Sequence, residues 1–189
     1  YPDDAEVRLY TPYVDLAGST DPVLSFRHWM SAESTYDGGR LYATTNFGAS
    51  WFLLPGAYTG TAEAFGGSLV SNAYTGTAGS WTTESISLTA WNTKKIRFMF
   101  RFASDFTVTY PGWYFDNIAV SNATPVSIPT NNLPYRVNFT NTGSPAGWSV
   151  TDSGAGIPTW QYGRPTSGPG AALAPGTNTW ATVLAGNYP

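Results

Sequence analysis

I-R-F-M-F-R-F, Ile96 to Phe102, carries the clearest periodicity in the chain. Ile96, Phe98, Phe100 and Phe102 alternate with Arg97, Met99 and Arg101. Successive side chains of a strand point to opposite faces, so the segment reads as a strand with an aromatic face toward a core and a polar face outward. The same period of two recurs along the chain. Leu24, Phe26, His28 and Met30 alternate in V-L-S-F-R-H-W-M, Ile86 and Leu88 in S-I-S-L-T, and Trp113 and Phe115 in G-W-Y-F-D-N-I-A-V. Tyr135, Val137 and Phe139 do so in Y-R-V-N-F-T, and Trp180, Thr182 and Leu184 in N-T-W-A-T-V-L-A-G-N-Y-P. Turn signals separate these runs: Asp37-Gly38-Gly39, Asn46-Phe47-Gly48 and Pro111-Gly112. No helical stripe extends beyond one turn. Many short strands with regular turns predict an all-β antiparallel sandwich or barrel.

The chain has 189 residues, enough to bury a substantial core without staples. Only 11% of residues are charged while 16% are aromatic, which argues against disorder. The net charge of -3 gives no reason to expect nucleic acid or an anionic membrane surface as a partner. There is no cysteine, hence no disulfide framework or thiolate metal site. No apolar run is long enough for a membrane-spanning helix, and no signal peptide is visible. The chain starts at Tyr1, which fits an excised piece or a processed mature protein. Asn122 and Asn138 each begin a glycosylation sequon.

Composition divides the chain into three parts. Residues 1–120 form the strand-rich main body. Residues 121–134 carry three prolines and no alternation, and read as a linker or an extended crossing strand. Residues 135–189 are Gly- and Pro-rich, with strand-like ends around a loop-like middle. That tail holds too little apolar content for a core of its own and needs a partner. A-Y-T-G-T-A occurs at 57–62 and again at 73–78, as two similar hairpin ends with Thr-Gly turns.

Five runs in order, L-S-F-R-H-W-M-S-A-E, Y-D-G-G-R-L-Y-A-T-T-N-F-G-A-S-W, A-Y-T-G-T-A-G-S-W, I-R-F-M-F-R-F-A-S-D and G-W-Y-F-D-N-I-A-V, cover roughly residues 7–120. Together they resemble the MAM-like jelly-roll modules of secreted bacterial proteins, often appended to extracellular peptidases of the immune inhibitor A type. The tail resembles the beginning of such a module: Gly147-Trp148, then T-W-Q-Y-G-R-P from Thr159, then W-A-T-V-L-A-G-N-Y from Trp180. In that family this stretch runs on into a segment like D-D-A-E-V-R-L-Y-T-P-Y-V-D-L, which here is Asp3 to Leu16. The resemblance therefore implies an antiparallel jelly-roll β-sandwich cut in the middle and written in permuted or tandem order. Tyr135, Val137, Phe139, Trp180, Thr182 and Leu184 are the expected assembly residues. They complete the body of their own chain, or that of a neighbour, where head-to-tail strand addition would build a filament.

The residues offer little for catalysis. His28, the single histidine, sits in an alternating strand and reads as structural. No G-x-S-x-G or H-E-x-x-H motif occurs. Twelve acidic residues give no spacing that singles out a glycosidase pair. A structural calcium ion is a candidate cofactor, since calcium takes six to eight oxygen ligands from carboxylates and loop carbonyls. Asp116, embedded in W-Y-F-D-N-I, is the first candidate ligand, with backbone N–H groups or an arginine as the alternative partners of a buried carboxylate. Glu33 and Asp37 are the next, and Asp37 also suits a turn. The acidic residue that related jelly rolls carry in their opening strand is missing from Phe139 to Asn141. Trp51, Trp91 and Trp160 are candidate sugar-stacking rings, although a strand-rich core also consumes aromatics. The expected function is a non-catalytic structural or adhesive module, secreted and displayed at a cell surface. The alternative is a carbohydrate-binding module or an accessory domain of a secreted peptidase.

Overall fold

In the computed structural model, residues 6–66, 69–125, 135–137, 139, 143–152, 160–170, 172 and 177–186 are described. Their strands, in chain order, are β1 (Glu6–Tyr10), β2 (Val14–Asp15), β3 (Val23–Ser31), β4 (Gly38–Thr44), β5 (Phe52–Leu53), β6 (Gly60–Ala62), β7 (Val70–Ala73) and β8 (Thr82–Ser87). There follow β9 (Lys95–Ala103), β10 (Gly112–Val120), β11 (Thr124–Pro125), β12 (Tyr135–Val137), β13 (Ser149–Asp152), β14 (Gln161–Gly163) and β15 (Thr179–Ala181). The helical residues described are the short 3-10 turns at Glu63–Phe65 and Thr89–Trp91. The chain is an all-β sandwich, and its strands pair antiparallel throughout.

β9, the strand of alternating phenylalanines, is the centre of a seven-stranded sheet. β4 lies on one side of it, from Gly38↔Ala103 to Thr44↔Arg97. On the other side lie β1, Tyr10 opposite Met99, and then β2, Val14 opposite Ile96. β5, β11 and β13 extend the sheet outward. The six-stranded sheet runs β14-β15-β10-β3-β8, with β12 also on β10. β6 and β7 form a separate hairpin, and in it the two A-Y-T-G-T-A copies meet: Tyr58 and Tyr74 pack at 4.6 Å, and the Thr59 hydroxyl and Thr75 backbone exchange two hydrogen bonds of 2.8 Å.

The predicted faces of β3 and β9 hold. Leu24, Phe26, His28 and Met30 are buried on one sheet and Ile96, Phe98, Phe100 and Phe102 on the other. Between the sheets, Phe100 meets Phe26 edge-on at 5.4 Å and Phe115 at 4.3 Å. Burying each ring is worth about 1.5–3 kcal/mol. One local reading differs from the outcome. Gly38 and Gly39 start a strand rather than a turn, because the Trp113 ring lies against it: a Cβ on Gly39 would sit 2.2 Å from two indole carbons. Tyr114 points away from the core yet is buried, because residues of the 160–170 loop cover it, with Ser167 Oγ 2.9 Å from its hydroxyl.

The tail contributes to both sheets of its own chain. β13 pairs with β1, Tyr10 opposite Ser149, while β12 and β15 pair with β10. Phe139, Trp148, Trp160 and Trp180 all enter the core. Trp148 stacks on Trp180 at 5.9 Å and 25°, and Trp160 on Phe115 at 5.2 Å and 26°. The strand expected at Trp180–Leu184 is shorter: β15 ends at Ala181, and it is buried at every residue because β10 and β14 flank it. Thr182 continues the pairing, its N–H donating to Trp113 O at 3.0 Å and its Oγ1 accepting from Trp113 N–H at 2.9 Å. Leu184 belongs to a turn whose carbonyl accepts from the Thr166 and Ser167 N–H groups at 2.6 and 3.2 Å. Tyr135 and Val137 are described by their backbone pairing with β10. Residues 126–134 of the expected linker, and Asn138, lie outside the described residues.

Candidate cation site

β4 begins and β9 ends at one edge of the seven-stranded sheet, with Gly38 opposite Ala103. That register forces the residue before β4, Asp37, against the residues after β9, Ser104 and Asp105. Glu33 joins them through a tight turn in which the Asp37 N–H donates to Glu33 O at 3.0 Å. The Thr75 hydroxyl ties the turn down, 3.1 Å from Glu33 O and 2.7 Å from Asp37 O. One carboxylate oxygen from each of Glu33, Asp37 and Asp105 then lies within 4.8 Å of the others.

Asp37 is 0% exposed, and its Oδ1 accepts the Asp105 N–H at 2.9 Å. Asp105 also accepts from the Thr107 N–H at 2.9 Å, which fixes its rotamer. Glu33 Oε2 is buried without a hydrogen-bond partner among the described residues. Burial, then the neighbouring Asp105 charge, push the Glu33 carboxyl above its ordinary value. Three carboxylates this close repel one another, and a bound cation relieves that repulsion. The arrangement offers hard oxygen donors of the kind calcium takes.

The structure thus joins two of the three expected metal ligands and adds Asp105. Asp116 does not belong to the group. It lies on β10 in the other sheet, fully buried at a bulge where Asn117 has φ 53°, and its Oδ1 accepts the Asn117 N–H at 2.7 Å. The backbone partner anticipated as the alternative to a metal is therefore present. Asp105 was missed because S-D-F-T carries no mark beyond an Asp-x-Thr turn; only the β4–β9 register shows what it faces.

The three candidate rings are scattered. Trp160 is 4% exposed and stacks on Phe115, so the expectation of a surface ring fails for it: the tail loop needs an anchor in the core. Trp91 is half-buried and stacks on Phe52 at 5.0 Å and 19°. Trp51 is half-buried on the outer side of the seven-stranded sheet, 5.5 Å from Tyr10.

His28 is consumed by the core. Trp113 Nε1–H donates to its Nδ1 at 3.1 Å, which requires Nδ1 to be the unprotonated nitrogen. Its Nε2 faces the buried Glu84 carboxylate at 3.8 Å, too long for a hydrogen bond. Burial alone would raise the Glu84 pKa. The facing imidazole, the Ala57 N–H at 3.2 Å and the Tyr74 hydroxyl outweigh it and hold the carboxyl below its ordinary 4.5. Glu6, between Arg8 and Arg101, is likewise held low against its own burial. A depressed native pKa stabilises the fold above the unfolded value and loses that contribution as pH falls through the native one. The melting temperature should therefore be level above about pH 6 and fall steadily below about 4.5, the ordinary carboxyl value. Glu84→Gln should shrink the acid-limb fall; an acid limb identical to that of the parent would show that Glu84 does not drive it.

No protein-family model matches the chain. Among curated proteins it is similar to Bacillopeptidase F of Bacillus subtilis (strain 168), with 28% identity over 122 residues. The match covers 65% of this chain and 7% of the length of that protein.

Proposed function

We propose that this chain is a non-catalytic accessory module, MAM-like in kind, of a larger extracellular protein, and that the Glu33–Asp37–Asp105 site holds a structural calcium ion. The observation that carries the first half is the comparison: most of this chain aligns with a small fraction of a protein named as a peptidase. The core supports it. The single histidine, His28, is buried between Trp113, Tyr74 and Glu84, where it can reach no substrate. Reading the coding sequence on both sides tests the assignment. A catalytic domain in the same frame is expected, and a frame encoding these residues alone overturns it.

The cation half rests on the crowding of carboxylates at the β4–β9 edge. A ligand that binds only the native state stabilises it by mass action. Millimolar calcium should raise the melting temperature by several degrees over a chelator control, and Asp37→Asn should abolish the response. Equal melting temperatures of the parent in calcium and in chelator would refute the site.

A further inference from the structure

Across the outer face of the seven-stranded sheet runs a continuous line of side chains: Trp51, Tyr10, Arg97, Tyr13 and Phe47. Trp51 and Tyr10 meet at 5.5 Å. The Arg97 guanidinium lies 5.0 Å from the Tyr10 ring and 5.5 Å from that of Tyr13. Tyr13 meets Phe47 at 5.5 Å. The line ends in the open, since Phe47 is 77% exposed.

Nothing about Phe47 is accidental packing. Its φ is 59°, a left-handed conformation that a bulky residue rarely adopts. The turn that imposes it is braced. The Gly48 N–H donates to Thr44 Oγ1 at 3.0 Å, the Ser50 N–H to Asn46 Oδ1 at 3.0 Å, and Asn46 Nδ2 to Ser50 Oγ at 2.8 Å. An exposed ring on a rigid turn is pre-organised, which removes the ordering cost of binding.

From this geometry we infer that the line is a binding site for an acidic polysaccharide, with aromatic faces for the sugar rings and Arg97 for a uronate carboxylate. Aromatic rings take the C–H faces of pyranoses, and the hydroxyls of Ser149 and Thr151 lie beside Arg97 and Tyr10, at 2.8 and 3.4 Å. Arg97 selects the charge. Its guanidinium is held by neutral oxygens, Thr11 O at 2.6 Å and Ser149 Oγ, and none of the ion pairs among the described residues includes it. A cation so placed is complementary to a ligand carboxylate. The alternatives fit less well. Tyr10 and Arg97 stand on β1 and β9, interior strands whose backbones are paired on both sides, so the centre of the line offers an extended peptide no edge to add to. An anionic lipid surface calls for a cluster of basic residues, and this line contains Arg97 alone. The proposal goes beyond the accessory-module reading and uses none of the cation-site residues.

The test is binding of the whole chain to immobilised polygalacturonate, alginate and hyaluronate in chelator, with methyl-esterified polygalacturonate, polyglutamate and phosphatidylserine vesicles alongside. Binding to at least one uronate polymer is expected, roughly tenfold weaker after methyl esterification. Phe47→Ala and Trp51→Ala should each weaken it roughly tenfold with the melting temperature little changed. Arg97→Met should remove the preference for the free acid. Flat responses on all three uronates, equal binding to polyglutamate, preference for the vesicles, or a Phe47→Ala variant that binds like the parent would each overturn the proposal. None of these outcomes bears on whether a catalytic domain lies in the same reading frame.

Discussion

Truncation after residue 134 is expected to leave a chain that no longer melts cooperatively. The deletion removes β12, β13, β14 and β15, so β1 loses its outer neighbour and β10 loses pairing along one side. It also takes Phe139, Trp148, Trp160 and Trp180 out of the core. Truncating one buried tryptophan to alanine already costs about 3–5 kcal/mol, against a total stability of about 5–15 kcal/mol for an ordinary domain. Losing three such residues with their strands exceeds the whole margin. Calorimetry, near-ultraviolet circular dichroism and dye binding to exposed apolar surface would read the result. A truncated body with a sharp transition at the parental temperature would show that the tail is dispensable.

Gly39→Ala is expected to be the most damaging single methyl in the main body. The added carbon would lie 2.2 Å from Cε3 and Cζ3 of Trp113, well inside contact distance. Neither partner can yield easily. Gly39 is paired with Phe102 in β4 and exchanges backbone hydrogen bonds of 2.8 Å with Tyr74. Trp113 is wholly buried, with neighbours at 4.4 Å in Phe115 and 5.4 Å in Tyr74, and its indole N–H is held by His28. Overpacking of this kind costs about 1–3 kcal/mol where the surroundings can shift, and more where they cannot. We expect about 3 kcal/mol or more, read as a lowered denaturation midpoint with unchanged slope. Gly79→Ala, where the new carbon meets nothing within 4 Å, should cost little and serves as the control.

What the sequence disclosed follows from which forces are local. Phe98, Phe100 and Phe102 announce their strand because one face is apolar and the other is not. The start of β4 is hidden: Asp37-Gly38-Gly39 looks like a turn until Trp113 supplies the reason for its glycines. Trp160 was misjudged, because the docking of a loop residue into a distant core leaves no periodic trace. The candidate cation site was half legible. Glu33 and Asp37 are near in sequence, but Asp105 reaches them through the pairing of β4 with β9, and register between distant strands is a tertiary fact. Trp51 is a candidate ring from the sequence alone, but the line it belongs to is not legible there, as its members come from two strands and the turns beside them.

The pairing of Tyr10 with Ser149, and of Phe115 with Trp180, sets a timetable. Contacts between segments so far apart carry a large loop-closure cost and slow the folding of sandwiches. During synthesis the ribosome releases β1 long before β13 and β15 exist. Residues 6–120 must wait without the Trp160 ring that packs on Trp113 and Phe115, and without the strands β12 and β15 that pair with β10, until Ala181 has emerged. Folding of the sandwich therefore cannot finish before the tail has left the ribosome, and a holdase that shields the body until the tail arrives should raise the yield of soluble chain.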